Sequence, residues 1–216
     1  MKKPLLMLQE EFFSVIDKYT NQPAAQQLWS EIQSAYTADD RHFHTLAHLE
    51  QMLEAVKPLK AQIEDWDTLM LAIFFHDFVY DVVRYVDEND NEEKSADEAE
   101  KALQQLGLPQ LKIDRCKALI LATKDHKFSS DRDTNYLTDA DLLILGQSWG
   151  VYKAYMDNIR KEYAVYPDKI YYAGRSNFLK NFLRTNRLFK TDHFYNLYEA
   201  QAKENLEREL EIVSFH

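Results

Sequence analysis

Apolar residues recur at steps of three and four along most of the chain. Leu8, Phe12 and Ile16 show this spacing near the start, and Leu49 and Leu53 show it farther on. The spacing is the period of an amphipathic helix that buries one face. The pattern therefore predicts a succession of helices.

Stop and start signals divide this pattern into segments. The predicted helices cover residues 5–19, 23–35, 46–56, 68–80, 91–107, 113–123, 139–145, 148–163, 167–184 and 192–212. Pro23 fits the first turn of the second helix, and Asn91 can cap the fifth. The helical period lapses between residues 81 and 93 and again over residues 124–135, so loops are predicted there.

Length and composition limit the fold. A chain of 216 residues can be built around one core. Four glycines and five prolines supply little of the turn chemistry that a β-rich fold needs. No repeat, low-complexity tract or Gly/Ser linker marks a domain boundary. We therefore predict an all-α single domain over residues 1–216.

Charge, cysteine content and hydropathy narrow the class of partner. The net charge of −10 repels phosphate backbones and argues against a nucleic acid polymer as partner. Cys116 has no second cysteine for a disulfide or a thiolate zinc knuckle, which favours a reducing compartment. The longest apolar run, residues 69–75, is far shorter than the roughly 20 residues that span a bilayer. We expect a soluble, cytoplasmic protein without a membrane partner.

Histidines and aspartates at the edges of apolar segments are the candidates for chemistry. His44 and His48 are four residues apart, so a helix would place both on one face, where they share a target or bond within a core. Thr45 stands where the HExxH zinc motif has glutamate, so that motif is absent. His76 and Asp77 directly follow an apolar run and need partners, either a cation or each other.

Two further aspartates complete an ordered set of candidate residues. Asp139 and Asp141 enter another apolar segment, where Asp139 can also act as a helix N-cap without a metal. The order His48, then His76-Asp77, then Asp141 resembles that of the HD superfamily of metal-dependent phosphohydrolases. The chain is similar to a bacterial subgroup of predicted HD phosphohydrolases over residues 41–211, through the phrases Arg41-His42-Phe43-His44, Phe75-His76-Asp77, Asn91-Glu92-Glu93, Thr123 with His126, Asp139-Ala140-Asp141-Leu142, and Arg160 with Glu162-Tyr163.

The resemblance implies a helical bundle of the HD-domain type. Residues 1–40 would form two leading helices, residues 41–146 the core that carries the metal site, and residues 147–216 C-terminal helices packed on it. One divalent ion is implied, with the ligands His48, His76, Asp77 and Asp141. Two imidazoles and two carboxylates suit Mn, Fe, Co, Ni or Zn and can accept Mg.

The resemblance also implies hydrolysis of a small phosphorylated substrate, best a nucleotide, by metal-activated water. Asp77 is implied to be catalytic by ligating the metal and orienting the water. For the general acid or base, the best candidate is Glu92 or Glu93 at the start of the helix after the acidic loop, and His126 is the competitor. The candidates for substrate binding are Arg41, His44, Lys124 and Arg160. Arg175 is also cationic, but ordinary surface pairing is the favoured interpretation there.

Non-catalytic alternatives apply to single residues and to the whole chain. Glu92 and Glu93 can form a solvated helix start, and Arg41 and Arg160 can make ordinary surface pairs. The chain can also be a catalytically silent HD domain that binds a nucleotide or a metal as a sensor. An HD-type di-iron oxygenase is disfavoured, because the additional histidine of dinuclear sites has no clear counterpart and a mononuclear site is expected.

Overall fold

The computed structural model describes residues 2–83 and 90–215, and every regular element within them is a helix. The α-helices are α1 (Lys2–Ile16), α2 (Gln22–Ala35), α3 (Leu46–Val56), α4 (Trp66–Phe75), α5 (Asn91–Gln105), α6 (Gln110–Ala122), α7 (Arg132–Asp141), α8 (Trp149–Glu162), α9 (Asp168–Arg184) and α10 (Asp192–Val213). Two 3₁₀ helices cover Lys57–Gln62 and Leu142–Gly146. The all-α prediction is confirmed.

Contacts between residues divide the chain into two compact units. One ends at Thr138, and the other begins at Asp139, inside the last turn of α7. The prediction that residues 1–216 form one domain stays a prediction. In the parts of the chain that the structure describes, no helix has the length and apolar character needed to cross a membrane.

Helix α4 forms the centre of the first unit. Its residues from Thr68 to Phe75 are all buried, so this helix is apolar on every side, as expected for a core helix. The Phe74 ring packs edge-on against Phe12 of α1 and Trp29 of α2, with centroid distances of 5.3 and 6.1 Å. Because α4 ends at Phe75, the next residue, His76, stands at the end of the core helix.

The start of α4 is held by polar contacts within the same unit. The Asp65 carboxylate caps α4 by accepting the Thr68 N–H. The buried Asp133 carboxylate of α7 accepts the backbone N–H groups of Glu64 and Asp65, each at 2.9 Å, and receives a bond from Arg115. These bonds fix the first turn of α7 against the entry to α4.

Two local expectations are wrong because of such contacts. The polar segment predicted as a loop over residues 124–135 already enters α7 at Arg132. Asp139 lies in the last turn of α7 and is not an N-cap of a helix that starts there.

The loop predicted over residues 81–93 includes residues 84–89, which lie outside the described residues. Helix α5 begins at Asn91, whose side chain bonds Asp81.

In the second unit the short 3₁₀ helix Leu142–Gly146 packs on α10. The Asn205 amide of α10 donates to the carbonyls of Leu145 and Gln147 at 2.8 and 2.7 Å. A Cβ atom on Gly146 would lie 2.5 Å from the Tyr198 Cβ and 2.9 Å from the Tyr198 carbonyl oxygen. The 3₁₀ helix therefore approaches α10 at a distance that only glycine allows.

Gly146→Ala is expected to lower the free energy of unfolding by about 1–3 kcal/mol, the usual cost of overpacking. Urea unfolding followed by circular dichroism measures this change. Gly174→Ala in α9 is the matched control, because a Cβ there meets nothing within 4 Å. That control should be neutral or stabilising by up to about 1 kcal/mol, since alanine suits a helix interior better than glycine. Equal stability of the two variants would contradict the close contact.

Candidate metal centre

The tautomer of His76 is set by its helix. The His76 side chain is 1% exposed, and its Nδ1 lies 2.9 Å from the carbonyl oxygen of Ile73, one turn earlier in α4. A carbonyl can only accept, so Nδ1 carries the proton of this bond. The lone pair of the neutral imidazole is therefore on Nε2. This arrangement is typical of metal-binding histidines, whose second nitrogen is held by a backbone carbonyl.

The Nε2 atom of His76 faces other electron-rich atoms. It lies 3.2 Å from Nε2 of His48, a buried residue in the first turn of α3, and 3.0 Å from Oδ2 of Asp77. A lone pair that faces a carboxylate oxygen at this distance is repelled unless a positive charge lies between them. A metal ion bound here would supply that charge, and so would a proton on Nε2 that His76 donates to Asp77.

Asp141 completes a group of possible ligands. One atom each of His48, His76 and Asp141 lies within 4.8 Å of the other two. Ligand atoms about 2.1 Å from a single ion are about 3.0 to 3.4 Å apart in octahedral or tetrahedral geometry, so the spacing of the two histidines fits directly. The group can therefore hold a metal ion with nitrogen and oxygen ligands. Ligation by Asp77, which contacts His76, stays a prediction.

Tyr36 is a neighbour of the site that the sequence did not reveal. Its hydroxyl accepts the backbone N–H of Asp77 at 3.2 Å, and the side chain is fully buried. Burial raises the pKa of Tyr36 to about 12; Asp77 acts in the same direction, and His76 and Arg41 oppose it. The phenol therefore stays protonated and holds the main chain of Asp77. Nothing in the local sequence at the end of α2 signals this role.

Arg41 and His44 lie near His48 and His76. The Arg41 side chain is buried and donates to the carbonyls of His44 and Phe78. The His44 ring lies against Tyr80 with a centroid distance of 4.1 Å, and His44 Nε2 is 3.9 Å from Oδ2 of Asp77. The structure thus places both residues close to Asp77 and to the turn that leads into α3. Their contact with a substrate stays a prediction.

Glu92 and Glu93 occupy the first turn of α5. Oε1 of Glu93 pairs with Lys124 at 2.6 Å, and Oε2 is buried in both glutamates with no hydrogen-bond partner among the described residues, so Glu92 differs in lacking a cationic partner. Burial raises the pKa of Glu92 above its usual value, and the charge of Asp77 acts in the same direction; the backbone N–H and Lys124 oppose it. A carboxyl with a raised pKa near a possible metal site is a candidate proton carrier. The alternative of a solvated helix start fits Glu93 better than Glu92.

His126 and Arg160 lie in different surroundings. His126 follows α6 with a positive φ of 49°, and its N–H donates to the Ala122 carbonyl. In the second unit the Arg160 guanidinium bonds the carbonyls of Tyr163 and Tyr166 and the carboxylate of Asp168. These bonds close the turn after α8. A catalytic role for His126 and a substrate contact for Arg160 stay predictions.

Two cationic residues of the second unit have buried partners. Arg175 pairs with Glu209 at 2.7 Å, with both side chains buried, so its pairing is not the surface pairing expected. The Lys190 side chain is 5% exposed, and its ammonium lies 3.7 Å from Asp139 and forms no hydrogen bond with any residue that the structure describes. Burial lowers the pKa of Lys190 to about 8, although Asp139 and Asp141 attract its charge. No motif in the sequence pointed to Lys190.

Comparison with known proteins finds no relative of this chain. No model of a protein family matches the chain, and neither a curated protein nor a solved structure matches it. The likeness to the HD superfamily therefore rests on the motifs of the sequence and stays a prediction.

Proposed function

We propose that the chain is a cytoplasmic, metal-dependent phosphohydrolase of the HD type that acts on a small phosphorylated compound, best a nucleotide. The observation that carries this proposal is the convergence of His48, His76 and Asp141, which come from three separate helical segments. Asp77, beside His76, would be the fourth ligand. A simple structural pair of one histidine and one aspartate would not need the other candidate ligands nearby, so the full group favours a metal.

The donor set suits the proposed chemistry. Two imidazole nitrogens and carboxylate oxygens favour Mn, Fe, Co, Ni or Zn. A bound ion would polarise a phosphoryl group and lower the pKa of bound water. The protein's own contribution is orientation: Ile73 fixes the His76 ring, and Tyr36 fixes the main chain of Asp77. Both contacts are made within the protein, so they orient the two groups, as catalysis requires.

Glu92 is the proposed proton carrier. Its Oε2 is buried and bonds none of the described residues, so this oxygen is suited to hold a proton or to accept one from a water molecule. The raised pKa brings the protonated form closer to neutral pH, where general acid and base catalysis is most effective. Lys124, which pairs with Glu93, supplies a positive charge near the same helix end and can attract a phosphate.

Glu92→Gln is expected to lower kcat by about 10²- to 10⁴-fold without loss of metal, since glutamine keeps the shape but cannot accept a proton. Phosphorylated metabolites are first screened against protein loaded with each divalent metal, and kcat and metal content are then measured on the best substrate. Glu93→Gln is the matched control and should change kcat little, because Glu93 lies in the same turn but is 46% exposed and already pairs with Lys124 through Oε1.

The negative results have different meanings. Metal-loaded wild-type protein that hydrolyses none of the phosphorylated compounds would contradict phosphohydrolysis, and nucleotide binding without turnover would favour the silent binding module. An unchanged kcat in Glu92→Gln would remove Glu92 from the proton chemistry. His126→Asn would then be the next variant to test.

A further inference from the structure

The Arg41 side chain joins two turns that are far apart in sequence. Its Nη1 donates to the carbonyl of His44 at 3.2 Å, and its Nη2 donates to the carbonyl of Phe78 at 2.9 Å. The first carbonyl lies in the turn that leads into α3 and His48. The second lies in the turn that follows His76 and Asp77. One guanidinium therefore connects the two segments that carry these side chains.

The surroundings of Arg41 hold it in this position. The side chain is 8% exposed, with its guanidinium 4.8 Å from the centre of the Tyr36 ring and 5.5 Å from that of Tyr80. Within residues 2–83 and 90–215, no carboxylate forms an ion pair with Arg41. A buried guanidinium is costly unless its donors find partners, and here two main-chain oxygens accept from it while two aromatic rings lie within 6 Å of it. One guanidinium can bond both carbonyls only when the main chain holds the two carbonyls at the right distance from each other.

The backbone geometry matters because the two imidazoles belong to different helices. His48 and His76 are separated by 28 residues, yet their Nε2 atoms lie 3.2 Å apart. The spacing depends on how the turn before α3 sits against the turn after α4. Tyr36 contributes to the same junction, since its ring faces Arg41 and its hydroxyl holds the Asp77 N–H.

We propose that Arg41 is a positioning residue of the metal centre, which sets the spacing between His48 and the His76-Asp77 pair. The proposal rests on the metal site proposed above, and it differs from the substrate contact predicted for Arg41. A guanidinium reaches both carbonyls at once because its donors form a rigid fork. A lysine ammonium at this position keeps the charge but cannot bridge the two carbonyls in the same way.

The test uses Co²⁺ as the probe, because its visible absorption reports the geometry of its ligands. Full-length metal-free wild type, Arg41→Met and Arg41→Lys are titrated with Co²⁺, and circular dichroism and thermal melting of the metal-free proteins check their folds. Arg41→Met is expected to bind Co²⁺ about 10- to 100-fold more weakly, the usual effect of losing a group that orients metal ligands. Its absorption spectrum should also change.

Arg41→Lys is expected to show a smaller loss of affinity and an altered spectrum. This variant decides the question if Arg41→Met does not fold. The matched control is Arg132→Met, which removes an exposed arginine that also faces a tyrosine ring, at 5.9 Å from Tyr136, without joining the two turns. Co²⁺ affinity and spectrum should be those of the wild type in this control.

The possible failures are distinguishable. Wild-type protein that binds no Co²⁺ refutes the metal centre, and with it the proposed function. Folded Arg41 variants that bind Co²⁺ with wild-type affinity and spectrum refute only the positioning role. If those variants also lose binding of inorganic phosphate to the metal-loaded protein, measured by calorimetry, Arg41 is a substrate contact and the positioning role is overturned.

Discussion

Arg175→Met is expected to lower the free energy of unfolding by about 3–5 kcal/mol, because it leaves a buried carboxylate without its partner. The Arg175 Nε and Nη2 atoms donate to the two oxygens of Glu209 at 2.7 and 2.9 Å, and Nη1 donates to the Tyr155 hydroxyl. The Tyr152 hydroxyl also donates to Glu209, at 2.5 Å. Glu209 is 1% exposed, so water does not replace the lost guanidinium.

Urea unfolding curves measure this loss, and two further variants show its cause. Arg160→Met removes another arginine that faces a tyrosine, but its partner Asp168 is 71% exposed, so the expected loss is below about 1 kcal/mol. Combining Arg175→Met with Glu209→Leu should recover much of the stability, because no unpaired charge then remains. A loss from Arg175→Met as small as that from Arg160→Met would contradict the buried pair.

The helices were largely predictable because burial of one helix face imposes a period on the sequence. The prediction extended the helix of residues 68–80 too far, since α4 ends at Phe75 and the apolar residues beyond it lie in turns. Periodicity does not distinguish apolar residues that continue a helix from apolar residues that lie in the turn after it. The start of α7 at Arg132 was missed because its polar first turn is held by Asp133 contacts to Glu64 and Asp65, which lie far away in sequence.

The candidate site, like the fold, was predictable only in part. His48, His76 and Asp141 stand at the edges of apolar segments, so sequence order and a family resemblance sufficed to group them. The contacts that hold the site join positions with no local signature. Arg41 reaches Phe78, and Tyr36 reaches Asp77, across intervals of 37 and 41 residues. Such contacts emerge only when the helices are packed.

Asp139 and Asp141 are two residues apart in α7 and are expected to behave in opposite ways when each is changed to asparagine. Asp139 is fully buried, and its carboxylate accepts the N–H of Lys190 and the N–H and hydroxyl of Thr191, each at 2.7 Å. These bonds hold the segment that leads into α10. Asp141 instead belongs to the group that can bind a metal. Comparing the two variants therefore separates an effect on fold stability from an effect on metal binding.

Asp141→Asn should weaken metal binding by more than about 100-fold, because loss of an outer contact alone costs 10- to 100-fold. The melting temperature of the metal-free variant should stay near that of the metal-free wild type. Asp139→Asn should bind metal normally but lose about 1–3 kcal/mol of stability, since an amide NH₂ would face donors where a carboxylate oxygen accepted them. Metal analysis of each purified variant and thermal melting with and without chelator measure both effects.

The response to chelation makes this comparison decisive. Metal that binds only the folded state stabilises it by about 2.7 kcal/mol at a free concentration 100 times Kd, so chelation should lower the melting temperature of the wild type. Asp139→Asn should show the same drop from a lower starting point, whereas Asp141→Asn should show almost none. Full metal retention in Asp141→Asn would remove that carboxylate from the metal centre. An unchanged melting temperature of the wild type after verified metal removal would show that metal binding is not coupled to folding.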